Sequence, residues 1–234
     1  MTKRKRERFA ETATFKNVLQ PAFNDVFGKD HPIKGKWRDV YFKNGSPLVV
    51  ELGCGKGEYT VGLAGKHRHK NFIGIDIKGA RIWRGARTAL EENLSNVMFL
   101  RTRIEFIGSF FDKDEVDEIW LTFPDPQPKK KRKRLTSSRF LNQYKSFLRP
   151  EGFLHMKTDS QLLYQYTINL TVHNNLFVDI TTEDLYHSEF QGDELQIKTF
   201  YEKGFLEKGL KIYYMKFKLS DCDIINEPPE DESG

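Results

Sequence analysis

A chain of 234 residues with 38% hydrophobic and 13% aromatic side chains suits one domain with a sizeable core, which excludes general disorder. No run approaches the ~20 apolar residues that span a bilayer. The basic start passes directly into Phe9, Ala10, Glu11 and Thr12 without a signal-peptide apolar region, so a cytoplasmic protein is expected. Two cysteines, Cys54 and Cys222, make no disulfide framework, and six scattered histidines suggest no metal site. The net charge of +5 is unevenly placed: 129–134, K-K-K-R-K-R, and 1–8 hold most of the excess positive charge, and 221–234 is acidic. Such blocks mark either a polyanion partner or a solvated loop.

In chain order, residues 1–46 are interrupted by Pro21, Gly28, Pro32 and Gly35 and read as a basic N-terminal arm and lead-in with a short helix near 15–19. From Pro47 strands alternate with helices. Residues 48–50 form a strand, 58–66 a helix and 71–76 a second strand. Ile82, Ala86, Ala89 and Leu90 recur at helical spacing, which predicts a helix over 79–94. Strands follow at 97–100 and 119–123, the latter ending in P-D-P-Q-P. A helix over 137–148 stops at Pro150 and Gly152, and 153–156 is a fifth strand. Asp159 is placed to cap a helix carrying Leu162, Leu163, Tyr166 and Leu170. Segments near 177–181 and 210–219 read as strands that form an antiparallel edge. The alternation predicts an α/β fold over 47–220, with a central, mostly parallel sheet and helices on both faces. The acidic tail, 221–234, is expected to be disordered.

Ligands of such sheets bind beyond the carboxyl ends of the strands. The first strand ends in E-L-G-C-G-K-G, where Gly53, Gly55 and Gly57 allow a sharp turn and close backbone approach. A dinucleotide fingerprint would place its third glycine at 58, but Glu58 stands there and is a poor neighbour for a pyrophosphate. The spacing G-x-G-x-G after Glu51 instead matches the nucleotide loop of class I methyltransferases, with their Rossmann-like fold. Their cofactor, S-adenosyl-L-methionine, carries an ammonium and a sulfonium. Asp76 ends the second strand, where a carboxylate accepts hydrogen bonds from ribose hydroxyls. A strand-to-helix turn and a strand-end Asp are the plainer readings of the same residues. At the fourth strand end Asp125 stands between Pro124 and Pro126, and the basic run begins at Lys129. Cations beside a methyl donor point to a nucleic-acid substrate whose phosphates are gripped while a base enters the pocket.

These motifs, with I-K-G-K-W-R-D-V-Y-F-K at 33–43, F-I-G-I-D-I-K, F-P-D-P-Q-P-K-K, H-M-K-T-D and T-F-Y-E-K-G-F, resemble in order the bacterial tRNA (guanine-N7)-methyltransferases over nearly the whole chain. The resemblance implies transfer of the methyl of S-adenosyl-L-methionine to N7 of a variable-loop guanine of tRNA, guanine 46. It implies that Glu51, Asp76 and the glycine loop hold the cofactor and that Asp125 is the catalytic position, also near the cofactor. Lys129, Arg132 and Arg134 would meet RNA, and Asp159 with Thr199, Phe200, Tyr201 and Glu202 would engage the guanine. Two alternatives stay open: Thr199-x-x-Glu202 is also a capping box, and Asp159 is also a helix cap.

The chain departs from the family in three places. Gln127 replaces the usual tryptophan between the prolines. The basic loop is shorter. Arg103 stands where an Asp or Asn near the adenine is common, which leaves the backbone N–H of Ile104 to read the adenine edge. The bacterial resemblance makes residues 1–8 an RNA-binding arm rather than a nuclear address. No obligate protein partner is evident, and a monomer or homodimer is expected. A methyltransferase for another base, and a non-catalytic RNA-binding protein on the same fold, are the rival readings.

Overall fold

Leu48, Val49, Val50 and Leu52 carry no polar alternation because their strand is covered on both faces, and all five of its residues are buried. In the computed structural model, which describes residues 3–190, 192–219 and 223–229, this strand is β2 (Leu48–Leu52). Before it come α1 (Lys3–Thr12) and β1 (Val18–Leu19). After it come α2 (Glu58–Lys66), β3 (Asn71–Asp76), α3 (Gly79–Glu91), β4 (Val97–Arg101), β5 (Val116–Thr122) and α4 (Ser138–Lys145). The chain ends with β6 (Leu148–Thr158), α5 (Gln161–His173), β7 (Val178–Thr182), α6 (Phe200–Glu207) and β8 (Tyr213–Phe217).

The strands form one sheet in the order β1-β4-β3-β2-β5-β6-β8-β7. All pairings are parallel except those of β8, which is antiparallel to both β6 and β7. The strand order reverses around β2, which lies between β3 and β5, so a crevice opens where these strands end. Alternation along β2 feeds two cores. Leu48, Val50 and Leu52 pack with Leu141, Tyr144 and Leu163 from α4 and α5, whereas Val49 packs with Leu63, Ala64 and Ala86 from α2 and α3. Among the described residues no helix is long and apolar enough to cross a membrane.

The structure differs from the sequence reading in four places. The N-terminal helix lies earlier than 15–19, over Lys3–Thr12, and Val18 and Leu19 instead pair with Phe99 and Leu100 at the sheet edge. A run of Lys, Arg and Glu favours helix, and Glu11 fixes α1 by accepting the Trp83 indole N–H at 2.8 Å. The helix expected to reach 148 ends at Lys145, and β6 already starts at Leu148 and runs through the exposed Pro150. Proline is tolerated there because the β5–β6 register shifts between Val116 and Glu118. The cap of α5 is Ser160, whose hydroxyl accepts from the N–H of Leu163, and not Asp159.

The fourth difference is the acidic tail, which for residues 223–229 is ordered against the body. Asn142 and Asn174 each pair with a backbone position of the tail as a strand would. Asn142 bonds the N–H and C=O of Ile225 at 2.9 and 2.8 Å, and Asn174 those of Asn226 at 2.7 and 2.8 Å. Glu227 accepts from the Ser138 N–H at 2.8 Å and the Tyr166 hydroxyl at 2.7 Å, and Ile225 is buried in the core. Acidic composition concealed one apolar anchor and one carboxylate with two donors. Residues 220–222 and 230–234 of that expectation lie outside the described residues. Ile225→Ala is expected to cost about 2–3 kcal/mol in urea unfolding. An unchanged midpoint would mean that the tail does not contribute to the fold.

Candidate active site

The crevice beside β2 begins with the glycine loop. Gly53, Gly55 and Gly57 all have positive φ, of 83°, 56° and 71°, but they serve different ends. A Cβ at Gly57 would lie 2.6 Å from the Phe99 ring, so this glycine lets α2 pack closely on the sheet. A Cβ at Gly53 would meet only Leu135, at 3.9 Å, and Gly53 lines a cavity of about 320 Å³. Asp76 lines the same cavity and holds the loop, accepting the N–H of Gly55 at 3.0 Å and that of Lys78 at 2.7 Å. Arg103 and Ile104 follow β4 into the cavity wall, joined by Ile77, Leu135 and Phe140. Arg103 turns its guanidinium to Glu105, 3.2 Å away.

Glu51 stands near the end of β2, under the glycine loop. It is buried beneath the loop, outside the cavity wall, with one carboxylate oxygen accepting from the Thr60 hydroxyl and the other from Thr122. Burial pushes its carboxyl above the usual range, and the two hydroxyls oppose that shift. Glu51 therefore ties β2 to α2 and β5, and so fixes where their ends meet.

Asp125 is exposed on the turn after β5. Two residues in the left-handed region, Phe123 (φ 52°) and Gln127 (φ 44°), bracket it. For non-glycine residues this conformation costs energy and persists only where neighbours enforce it. The Phe123 N–H is held by the Lys157 carbonyl at 2.8 Å, its ring packs on Phe205 at 5.7 Å, and Pro124 is buried. The Asp125 carboxylate accepts the Gln127 N–H at 3.0 Å, which closes the turn.

Opposite this turn, the end of β6 meets the start of α6. Lys157 and Glu202 are both fully buried and pair at 2.7 Å. Lys157 also donates to the carbonyls of Leu195 and Ile197 at 3.2 and 3.3 Å, and the Tyr186 hydroxyl donates to Glu202 at 2.5 Å. Burial pulls the Lys157 ammonium down from its ordinary pKa, and Glu202 opposes that. The capping box is realised: Thr199 accepts from the Glu202 N–H, and Glu202 accepts from the Thr199 N–H, each at 3.2 Å. Glu202 thus has no surface from which to reach a base. Its neighbours do: Phe200 and Tyr201 are 62% and 50% exposed, with the Lys56 ammonium 4.3 and 5.8 Å from their ring centres. Asp159 is half-buried at the end of β6, and its carboxylate has no hydrogen-bond or ion-pair partner among the described residues.

The basic segment divides in two. Residues 129–133, with Lys129 and Arg132, are exposed. Arg134 turns inward and is buried. It donates to the Pro126 carbonyl at 3.0 Å and stacks over Tyr166 at 4.3 Å, so it straps the loop to the Asp125 turn and does not face solvent. Lys133 and Gln127, from the same segment, line the glycine-loop cavity. The sequence reading missed Lys157, Thr60, Thr122 and Phe205. Only the motifs K-T-D and T-x-Y-E hinted at the Lys157–Glu202 contact, since each contains one member of the pair.

The fold and this crevice define a class I methyltransferase. Residues 45–215 match a family described as putative methyltransferases. Among solved structures, the 16S rRNA methyltransferase KamB shares the fold with a TM-score of 0.59 at 11% identity, over 77% of this chain and 91% of that one. A tRNA (guanine-N(7)-)-methyltransferase of Bacteroides thetaiotaomicron is 49% identical across 97% of this chain and 90% of its own. One from Christiangramia forsetii is 50% identical, across 93% and 99%. The chain belongs to the tRNA (guanine-N(7)-)-methyltransferase family. Arg134→Ala is expected to cost about 2 kcal/mol of folding stability, whereas Arg132→Ala leaves the urea midpoint nearly unchanged. Equal effects would contradict the strap.

Proposed function

We propose that this chain transfers the methyl group of S-adenosyl-L-methionine to N7 of a guanine in tRNA, the variable-loop guanine 46, acting in the cytoplasm as a monomer or homodimer. The observation that carries this reading is a shared wall. Gln127 and Lys133, from the segment that presents Asp125 and the cations, also line the cavity of Gly53 and Asp76. The site of the methyl donor and the surface for a polyanion are thereby contiguous.

The residues present fit the cofactor. A cavity of about 320 Å³ falls in the range of small-molecule sites. Gly53 puts no side chain into it, and Ile77, Ile104, Leu135 and Phe140 supply apolar contacts for an adenine. Asp76 holds two N–H groups, and a carboxylate has lone pairs left for ribose hydroxyls. Arg103 takes the place of the acidic or amide residue usual in the family, so the backbone at Ile104 reads the adenine edge. Glu51 acts from below, as the anchor of the loop, with Gly55 and Gly57 shaping it. When bound, the cofactor supplies an electrophilic methyl group on a sulfonium.

Guanine N7 carries a lone pair and no proton, so the chain needs no general base. Its work is alignment and electrostatics. Asp125 is the catalytic residue: its carboxylate grips the donor edge of the guanine and faces the positive charge that the base acquires. Phe200 and Tyr201 offer exposed rings for stacking, and Asp159 offers an unpartnered carboxylate for further base N–H groups. Lys129 and Arg132 take backbone phosphates, the sequence-independent part of RNA binding.

Incubation of the protein with labelled S-adenosyl-L-methionine and unmodified tRNA, followed by digestion to nucleosides, should give 7-methylguanosine as the labelled product. Any other labelled nucleoside, or none, would refute the reading. Asp125→Ala should lower the rate by at least about a hundredfold, with a much smaller change in tRNA affinity. Near-normal turnover would remove Asp125 from catalysis.

A further inference from the structure

α1 and α3 run side by side in the same direction. A Cβ at Gly79, where α3 begins, would lie 3.3 Å from the Phe9 ring, Glu11 holds the Trp83 indole at 2.8 Å, and Asn17 donates to the Ala86 carbonyl at 3.0 Å. Arg8 lies 4.4 Å over the Trp83 ring and Arg101 4.8 Å from the centre of the Phe9 ring, which fixes the helix in place. Because α3 starts just after Asp76 and α1 runs in the same direction, the exposed Arg6, one turn before Phe9, lies toward the ligand-binding edge of the sheet.

Charge is graded along α3. Arg87, in its second half, is neutralised by Glu91 at 2.7 Å and lies 3.9 Å from Glu11, with Glu92 beyond. Arg81 and Arg84, nearer the ligand edge, are exposed and have no acidic partner among the described residues. Arg84 also lines a groove of about 420 Å³ between α2 and α3, where Lys56, Lys66 and Arg84 outnumber Glu58 and Glu92. Lys56 in turn sits over Phe200. Arg6, Arg81 and Arg84 thus place exposed cations, and Lys56 a half-buried one, with Glu58 and Glu92 also in the groove, on elements that do not include the 129–133 loop.

We propose that this track, Arg6, Arg81, Arg84 and the groove to Lys56, binds RNA backbone phosphates and forms a second wall of the substrate cradle. The inference rests on the tRNA reading above. The track provides exposed guanidinium groups, which suit phosphates rather than sequence readout.

The test measures binding of unmodified tRNA to the full-length chain between about 50 and 200 mM salt. Three proteins are compared: wild type, Arg81→Gln/Arg84→Gln, and the control Lys36→Gln/Lys113→Gln, which removes the same charge near the opposite edge of the sheet. The arginine variant should bind about tenfold more weakly, and its log K against log salt slope should shrink by about 1.5. The control should change little, and both variants should unfold at the wild-type midpoint. Equal affinity and slope in wild type and the arginine variant would overturn the inference while leaving the tRNA reading intact. The same loss in the control would overturn it by showing only a net-charge effect. A wild-type protein that neither bound nor methylated tRNA would overturn the reading itself, and this inference with it.

Discussion

The buried pair of Lys157 and Glu202 is the contact on which the substrate side of the site depends. Two charges with no solvent exposure are costly to desolvate, and removing one partner of such a pair typically costs about 3–5 kcal/mol. Here the cost is offset by further hydrogen bonds. Lys157 reaches the Leu195 and Ile197 carbonyls, and Glu202 holds Tyr186 and the Thr199 N–H. The pair thereby draws the irregular stretch after β7, and the first turn of α6, onto the end of β6. Phe205 then reaches Phe123, so α6 also braces the turn that presents Asp125.

A second constraint operates one strand away. Glu51 unites β2, α2 and β5 beneath the glycine loop, and Asp76 fixes the loop from above through Gly55. The two halves of the site share a scaffold because β5 carries both the Thr122 hydroxyl that holds Glu51 and the turn that holds Asp125. A donor cavity and a substrate surface can be kept in fixed relation only if strain at Phe123 and Gln127 is enforced from several sides. The Lys157 carbonyl, Phe205 and the Arg134 strap do this.

Much of this was legible in the sequence, because its signals are local. Apolar runs gave the strands, helical spacing gave α3 and α5, and Gly53 with Asp76 marked the cavity. Direction of side chains was not legible. Glu202 sits in a motif read as base recognition, yet it is buried because its partner arrives from β6, far away in sequence. Arg134 belongs to a run of six cations, yet Tyr166 and the Pro126 carbonyl turn it inward. The tail looked disordered by composition, yet Asn142 and Asn174 offer it the pairing of a strand. In each case a tertiary partner decided what composition and local pattern could not.

The role of the buried pair is tested by urea unfolding of Glu202→Leu, Lys157→Met and the double variant, with amide exchange read over residues 199–207. Each single change should cost about 3–5 kcal/mol and expose these amides, because it strands a buried charge. The double variant, with two apolar side chains of similar volume, should regain most of the stability and protection. Single variants with wild-type midpoints and protected amides would contradict it.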